Sequence, residues 1–135
     1  MENIPRIGVG VLILKDNKIL LGKRISTHGK NTWAPPGGHL EFNEQIEECA
    51  IREVKEETNL EIKNLRIGPI TNDIHKDEDK HYVTIFVISE YKSGNVKLME
   101  PEKCEQWNWF EWSNLPQPLF LPLQNLIKQD FNPLK

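Results

Sequence analysis

The segment CAIREVKEETNL (residues 49–60) contains an arginine and three glutamates with the types and spacing that metal-dependent chemistry requires. The sequence around it is rich in Glu, Gln, Ala and Lys and lacks Gly and Pro, so it predicts one helix over residues 43–58. Asn43 is the predicted N-cap. At about 100° per residue, Glu53 and Glu57 lie one turn apart on this helix and about 40° from each other. Their two carboxylates are therefore predicted to share one face.

That face also carries the apolar residues Ile46, Ala50 and Val54, which we expect to enter the core. Two carboxylates one turn apart repel each other, and partial burial disfavours their ionisation further. A lysine could neutralise the pair, but a divalent cation does so better because it accepts oxygen ligands from both carboxylates. A solvated run of glutamates is the alternative interpretation. The overlap with the apolar face favours a metal site that uses Glu53 and Glu57.

Two glycines stand just before this helix, in the segment PPGGHLE (residues 35–41). Glycine has no side chain, so its backbone can approach a ligand closely. A simple turn is the alternative for any isolated pair of glycines. Next to an acidic helix, the pair is better explained as part of the same site.

The rest of the chain predicts a sheet that positions the acidic helix. Residues 15–18 (KDNK) have turn composition, and two prolines and two glycines exclude a helix from residues 33–38. Strands before, between and after two helices predict an α/β fold with a mixed sheet between helices. The predicted elements are strands at 7–14, 19–24, 60–75, 81–91 and 105–112, and a closing helix at 119–131 with Pro122 in its first turn.

Length, charge and cysteine content restrict the class of protein. A chain of 135 residues is expected to form one domain, over residues 1–135, with its own core. Its net charge of −3 offers no basic surface for a nucleic-acid polymer. The longest apolar run, residues 7–14, is too short to span a membrane, and the N-terminus lacks the pattern of a secretory leader. Cys49 and Cys104 form no CxxC pair, so we expect reduced thiols in a cytoplasmic protein.

The glycines and the acidic helix together match a known signature. Gly38 is followed after five residues by Glu44 and after seven more by REVKEETNL (residues 52–60), a pattern that resembles the Nudix box. Every defined position of that box matches except its last glycine, which is Asn59 in this chain. Because Asn tolerates the left-handed conformation found at helix ends, we predict a positive φ at Asn59 that ends the helix as glycine would.

The resemblance extends over most of the chain, to one branch of the Nudix hydrolases. The segments that carry it are GVGVLIL, LLGKR, PGGHLEFNEQIEECAIREVKEET, HYVTI and EPEKCEQWNWFEWSNLP. They resemble the nucleoside triphosphate diphosphatases, the branch that includes the human thiopurine-nucleotide hydrolase. The resemblance implies an α/β/α sandwich, a homodimer, and dependence on Mg²⁺, with Mn²⁺ as a substitute. It also implies hydrolysis of a (deoxy)nucleoside triphosphate to the monophosphate and pyrophosphate, as in the removal of oxidised or surplus deoxynucleotides.

Carried over by position, the resemblance implies a metal centre. Its ligands would be the carbonyl of Gly37 and the carboxylates of Glu53 and Glu57, with Glu56 nearby.

Other residues would support or extend this centre. Glu44 and Arg52 would orient the cluster, Arg52 by pairing with one of its glutamates. Family members often add an acid from a loop before a late strand. Of the two candidates, Glu100 and Glu102, we prefer Glu102, and plain surface charge is the alternative there.

The resemblance also implies a substrate-binding surface made of Gly38, His39, Arg24, Thr84, Phe120 and Leu123. His39 would lie near the phosphates or the sugar, with a surface histidine as the alternative, and Arg24 would contact phosphate or be solvated. Phe120 and Leu123 match the wall of the base pocket. Pro122 stands where the human enzyme has a glycine, and a proline cannot donate a backbone amide to a base. Recognition of purines by that route therefore lacks its backbone donor in this chain. The tryptophans of residues 105–112 are interpreted as core.

Three functions remain open from the sequence. The first is hydrolysis of a nucleoside triphosphate, in which bound metal neutralises phosphate oxygens and a glutamate accepts a proton. Which glutamate does so, and whether the α or the β phosphorus is attacked, stay open. The second is a Nudix hydrolase of dinucleotide-type diphosphates such as ADP-ribose or NADH. The third is a non-catalytic nucleotide-binding regulatory module. The intact cluster of Arg52, Glu53, Glu56 and Glu57 argues against it, because a silent module has no need of repelling carboxylates.

Overall fold

The computed structural model describes residues 3–135 and contains a seven-stranded mixed sheet with one helix on each face. The strands are β1 (Arg6–Lys15), β2 (Lys18–Arg24), β3 (Trp33–Ala34), β4 (Gly37–His39), β5 (Glu61–His75), β6 (Lys80–Ser93) and β7 (Cys104–Glu111). The helices are α1 (Ile46–Thr58) and α2 (Leu121–Ile127), and a 3₁₀ turn covers Lys76–Glu78. The strand order is β3-β2-β1-β6-β5, while β4 pairs with β1 and β7 pairs with β2.

The centre of the sheet is the parallel pair of β1 and β6. Successive side chains of a strand point to opposite faces, so the apolar run of β1 supplies both faces. Val9, Val11 and Ile13 enter one core cluster, whereas Leu12 enters the other. A strand buried on both faces explains why this part of the sequence is apolar without alternation.

The two helices cover the two faces. On one face, α1 contributes Cys49, Ala50 and Val54 to the cluster that contains Val9 and Val11. On the other, the buried leucines of α2 pack beneath β1, β2 and β6. This arrangement confirms the predicted α/β fold with a mixed sheet between helices.

The start of the acidic helix differs from the prediction. Asn43 is not the N-cap: its φ of 67° places it in a left-handed turn before the helix. The residue that precedes α1 is Gln45, whose N–H donates to Oε1 of Glu48 at 2.8 Å. A glutamate three residues on satisfies a free backbone donor at the helix start, as in a capping box. The helix therefore begins at Ile46.

The closing helix is shorter than the predicted 119–131. It starts after Phe120, whose N–H donates to the carbonyl of Trp33 at 2.9 Å, so the chain before it is paired with β3 rather than helical. It ends at Ile127. Pro122 lies in its first turn, as predicted.

Neither helix among residues 3–135 has the length and apolar character needed to cross a membrane. Met1 and Glu2, which belong to the N-terminal segment interpreted as lacking a leader, lie outside the described residues.

Candidate active site

The two glycines of β4 lie directly against the glutamates of α1. Residues 33–38 form β3 and β4 and are not helical, as predicted. The N–H of Gly37 donates to Oε1 of Glu57 at 3.2 Å. A Cβ at Gly38 would overlap the carboxylate of Glu53, and one at Gly37 would overlap the backbone of β1. The lack of a side chain at Gly38 is what lets the acidic face of α1 approach the sheet, and its lack at Gly37 lets β4 lie against β1.

Arg52 holds most of the glutamates of this region in place. It binds Glu44 with two parallel hydrogen bonds, from Nε at 2.7 Å and from Nη2 at 3.1 Å. Its Nη1 donates to Glu53 at 3.0 Å and to Glu56 at 3.2 Å. Its Nη2 also donates to the carbonyl of His39 at 3.3 Å. A planar guanidinium with five donors can make these contacts at once, which a lysine cannot.

Glu57 carries the least compensated charge of the cluster. Burial, and after it the charge of Glu53, raise its pKa to about 8, against one hydrogen bond from Gly37. Burial also raises the pKa of Glu53, although Arg52 opposes the rise. Hydrogen bonds from Arg52 instead lower the pKa of Glu44 to about 2. Within residues 3–135 no cationic side chain lies within ion-pair distance of Glu57.

A cavity of about 460 Å³ lies over the glycines and the acidic face of α1. Four carboxylates line it, those of Glu41, Glu53, Glu57 and Glu100, and we call the last three the acidic group. Glu100 stands in the turn before β7, with its carboxylate 3.8 Å from Nζ of Lys103. Cavities of this size hold small organic ligands in other proteins.

Four rings line another part of the same cavity: His28, His75, Tyr82 and Phe120, which we call the aromatic group. The ring centroid of His28 lies 4.6 Å from that of His75 and 5.2 Å from those of Tyr82 and Phe120. Burial lowers the pKa values of His28 and His75, so both imidazoles are neutral at pH 7. Flat, neutral rings around a cavity favour an aromatic ligand that can stack on them.

Arg24 brings a positive charge into the cavity. Its guanidinium lies 4.4 Å from the ring centroid of Phe120, and its Nε donates to the carbonyl of His28 at 2.8 Å. The charges of Glu57 and Glu78 both act on it, so it stands within electrostatic reach of the acidic group. A cation in this place suits an anionic ligand that also reaches the rings.

Most residues singled out from the sequence come together in this cavity. Glu44 and Arg52 lie beside it as partners of its glutamates. Glu56 pairs with Arg52, but its side chain is 51 % exposed. The predicted residues that line the cavity are Gly37, Gly38, His39, Arg24, Thr84, Phe120, Glu53 and Glu57.

Two expected residues lie elsewhere. Leu123 is fully buried in the core cluster under α2 and does not line the cavity, because its side chain points to the sheet. Glu102 is exposed, and Glu100 takes the place in the cavity that we assigned to Glu102. The carbonyl of Glu100 accepts hydrogen bonds from the N–H groups of Lys103 and Cys104, and this turn directs Glu102 to solvent.

Thr84 lines the cavity, but its hydroxyl is committed to a buried carboxylate. It donates to Oδ2 of Asp73 at 2.5 Å, and Thr71 donates to the same oxygen at 3.1 Å. Asn125 donates to the other oxygen of Asp73 at 2.9 Å. Thr84 therefore contributes shape to the cavity rather than a free hydrogen-bonding group.

The aromatic group is the part of the site that the sequence analysis missed. His28 lies in a polar loop and His75 at the far end of β5, and nothing in their local spacing links them. One signal was present: Thr71, Asp73 and His75 alternate along β5 and are all buried. Polar residues on the inward face of a strand call for partners or a ligand. Trp107, interpreted as core, packs against the core and also lines the cavity.

The acidic group fits a hard divalent cation. Its donors are carboxylate oxygens, the ligand type that Mg²⁺ prefers. Two of the carboxylates, on Glu53 and Glu57, have pKa values raised by burial, so a cation between them would relieve a cost that the fold otherwise carries. The backbone of Gly37 lies beside these carboxylates, because its N–H donates a hydrogen bond to Glu57.

A glutamate-bearing helix held by an arginine against paired glycines, beside a nucleotide-sized cavity, defines the class of the protein. The chain belongs to the Nudix family of hydrolases: the NUDIX domain profile matches residues 4–130. It is a pyrophosphohydrolase of this family.

Individual relatives share the fold and differ in their named substrates. The chain is 35 % identical over 116 residues to an ADP-ribose pyrophosphatase of Methanocaldococcus jannaschii, covering 86 % of this chain and 68 % of that protein. It is 30 % identical over 131 residues to an RNA pyrophosphohydrolase of Pelagibacter ubique, covering 84 % and 81 %. A MutT NUDIX hydrolase from Burkholderia pseudomallei has a similar solved structure, with a TM-score of 0.84, 29 % identity, and coverage of 94 % and 97 %. These names do not identify the branch implied by the resemblance to the nucleoside triphosphate diphosphatases.

Proposed function

We propose that the protein is a Mg²⁺-dependent nucleoside triphosphate diphosphatase, which cleaves a (deoxy)nucleoside triphosphate to the monophosphate and pyrophosphate. The observation that carries the proposal is that one cavity contains both the acidic group and the aromatic group, with Arg24 near both. A single nucleotide has the matching parts: an aromatic base, a sugar and a polyphosphate.

Different residues of the cavity would bind the cation and the phosphates. Glu53 and Glu57, with the Gly37 carbonyl, would hold the cation, which when bound neutralises phosphate oxygens and lowers the pKa of water. Arg52 keeps Glu53 against Gly38. Arg24 would pair with the phosphate chain.

The chemical step needs a proton acceptor and a site that orders the substrate and the attacking water. A carboxylate of the acidic group accepts a proton from the attacking water as the P–O bond to the leaving group breaks. The ring of Phe120 and its neighbours would hold the base, so that the phosphates lie at the carboxylates. The proposal assigns the proton to the acidic group as a whole.

The test is a nucleotide panel with Mg²⁺, in which nucleoside monophosphate, pyrophosphate and orthophosphate are separated by chromatography. We expect monophosphate and pyrophosphate in equal amounts from several triphosphates. Glu57→Gln should lower kcat by roughly a hundredfold or more while circular dichroism shows an intact fold. Glu47→Gln is the matched control, because Glu47 is an exposed glutamate of the same helix outside the cavity. Near-normal turnover by folded Glu57→Gln would remove the metal-site assignment.

Hydrolysis of ADP-ribose is the second candidate, favoured by the 35 % identity to an ADP-ribose pyrophosphatase. Its products, AMP and ribose 5-phosphate, distinguish it in the same panel. A higher kcat/KM for ADP-ribose than for any triphosphate would replace the leading proposal. If no nucleotide is hydrolysed but several bind, the regulatory module is the correct alternative.

Three further expectations belong to this proposal. A role in removing oxidised or surplus deoxynucleotides follows if such nucleotides are substrates. The homodimer stays a prediction that light scattering on the purified protein can check. A cytoplasmic location is checked by fractionation of the cells that make the protein.

A further inference from the structure

Three side chains, two of them members of the aromatic group, form a cluster to which the proposed hydrolysis assigns no metal. They are His28, His75 and Glu78, and one potential ligand atom from each lies within 4.8 Å of the other two. His28 belongs to the loop over residues 26–32, His75 ends β5, and Glu78 lies in the 3₁₀ turn. None of them comes from α1, so the cluster is separate from the acidic group.

The second observation is an unsatisfied buried nitrogen. His75 is only 8 % exposed, and among residues 3–135 its Nε2 finds no hydrogen-bond partner. A buried polar atom without a partner destabilises the fold, so such atoms are rare unless a ligand, ion or water satisfies them. An ion in the cluster would supply what His75 lacks.

The other two side chains are already held in place. Nδ1 of His28 lies 2.5 Å from Oε1 of Glu78, and the N–H of Gly29 donates to the second oxygen of Glu78 at 2.9 Å. That backbone hydrogen bond fixes the carboxylate from outside the cluster, as supporting contacts do around metal ligands. The cluster therefore has two potential metal ligands that are held in place, His28 and Glu78, and one whose ring nitrogen lacks a partner, His75.

We propose that His28, His75 and Glu78 form a binding site for a transition-metal ion of the Zn²⁺ type, separate from the acidic group. Two imidazoles and one carboxylate are a ligand set that Zn²⁺ uses when a fourth position stays open. Imidazole ligands favour Zn²⁺ over Mg²⁺, whereas the all-oxygen acidic group favours Mg²⁺.

The size of the cluster is compatible with such an ion. Ligand atoms about 2.0–2.1 Å from a tetrahedral ion lie roughly 3.3 Å from one another. Atoms within 4.8 Å reach this spacing by small side-chain rotations, and His28 and Glu78 need only to part slightly. The bound ion would join the loop over residues 26–32 to the end of β5.

The experiment measures metal binding and not hydrolysis, so its result is independent of the test of the proposed function. Zn²⁺ is titrated by calorimetry into the protein in excess Mg²⁺, which occupies the acidic group, and Co²⁺ is used as a spectroscopic substitute. We expect the protein to bind one equivalent of Zn²⁺. We also expect bound Co²⁺ to absorb visible light with the intensity typical of a tetrahedral site. His75→Phe, which keeps an aromatic ring but removes both ring nitrogens, should weaken Zn²⁺ binding by roughly a hundredfold or more.

Two controls locate the ion. His81→Phe removes a histidine of β6 that is outside the cluster and pairs with Asn72, and it should bind Zn²⁺ like the wild type. Glu57→Gln, which damages the acidic group, should also retain the Zn²⁺ equivalent. If His75→Phe misfolds, Glu78→Gln is the second variant, since its amide oxygen can still accept from Gly29.

Two results would overturn the inference. One is wild-type Zn²⁺ affinity in both His75→Phe and Glu78→Gln. The other is Zn²⁺ binding that disappears in Glu57→Gln, which would assign the ion to the acidic group.

Discussion

At the scale of single residues, Glu57 shows that the fold buries a carboxyl group in surroundings that disfavour its ionisation. Its carboxylate faces a second carboxylate, on Glu53, and receives one backbone hydrogen bond, from Gly37. Its pKa is raised to about 8 from an ordinary 4.5. A residue of this kind lowers the stability of the metal-free protein, and that cost is the counterpart of the cation binding proposed for it.

The raised pKa predicts how stability depends on pH. The folded-state pKa of Glu57 is the higher one, so the unfolded chain ionises first as the pH rises. The stability contributed by the protonated carboxyl is complete below about 4.5, declines towards 8 and is lost above it. We expect Glu57→Gln to remove this decline. In a chelator, the Tm of the wild type should fall from pH 5 to pH 9 by roughly 5 °C more than that of the variant.

Glu56→Gln is the control for this measurement. Glu56 is half exposed, and solvent screens its charge. The Tm of Glu56→Gln should therefore fall with pH as much as that of the wild type. Parallel Tm profiles for the wild type and Glu57→Gln would show that Glu57 is not a strained, buried acid.

At the scale of elements, the site depends on the contact between β4 and α1. A Cβ at Gly38 would overlap the carboxylate of Glu53. We expect Gly38→Ala to cost roughly 1–3 kcal/mol of stability and to lower activity roughly tenfold or more, because Glu53 must leave its place. Urea unfolding and the pyrophosphate assay measure the two effects.

Gly8→Ala is a matched control for Gly38→Ala. Gly8 also lines the cavity, but a Cβ there would meet its nearest neighbours at 3.8 and 3.9 Å, which is ordinary contact. Its stability should stay close to that of the wild type. Equal losses of stability in the two variants would mean that the contact with Glu53 is not the cause.

The end of α1 gives another prediction at this scale. Asn59 has φ 69° and ψ 13°, which confirms the left-handed conformation predicted for it, and its N–H donates to the carbonyl of Lys55 at 3.1 Å. Asn59→Gly should change stability by less than about 0.5 kcal/mol and leave activity intact. Asn59→Val should cost roughly 1–2 kcal/mol, because a β-branched residue resists this conformation. Equal stability of Asn59→Gly and Asn59→Val in urea would contradict the requirement for a left-handed backbone conformation at this position.

Elements whose pattern is local were predictable from the sequence, and those fixed by distant contacts were not. The 3.6-residue period of α1 placed Glu53 and Glu57 on one face, and the structure has them there beside the sheet. The start of α1 was misplaced because Asn43 has the composition of an N-cap but takes a positive φ. The shorter α2 reflects pairing of residues 119–120 with Trp33, a contact that local propensity cannot show.

At the scale of the whole molecule, the cavity is assembled from most of the elements. Its lining comes from all seven strands and both helices, together with the loop over residues 26–32 and the turn before β7. The sequence therefore showed Glu53 and Glu57, which one helix carries, but not Glu100. It also missed most of the aromatic group, which the tertiary fold brings together. The consequence is that the end of the cavity proposed to bind phosphate was easier to predict than the end proposed to bind the base.

Base selectivity is the property of the whole cavity that we expect to be weak. Pro122 lines the cavity and has no N–H to donate. The hydroxyl of Thr84 is bonded to Asp73, and Nδ1 of His28 to Glu78. Phe120 offers a ring face on which any base can stack.

A site with few free donors cannot penalise a base that lacks the matching acceptor, so discrimination should be shallow. We expect kcat/KM values for dGTP, dCTP, dTTP, dATP and 8-oxo-dGTP that agree within roughly tenfold. The measurement is a steady-state comparison with pyrophosphate detection. A preference of about a thousandfold for one of them would show that the cavity identifies the base by a specific polar contact. His75 would then be the first residue to test, because its Nε2 is a buried polar atom that no other residue among 3–135 satisfies. In that case His75→Phe should reduce the preference, whereas His81→Phe should preserve it.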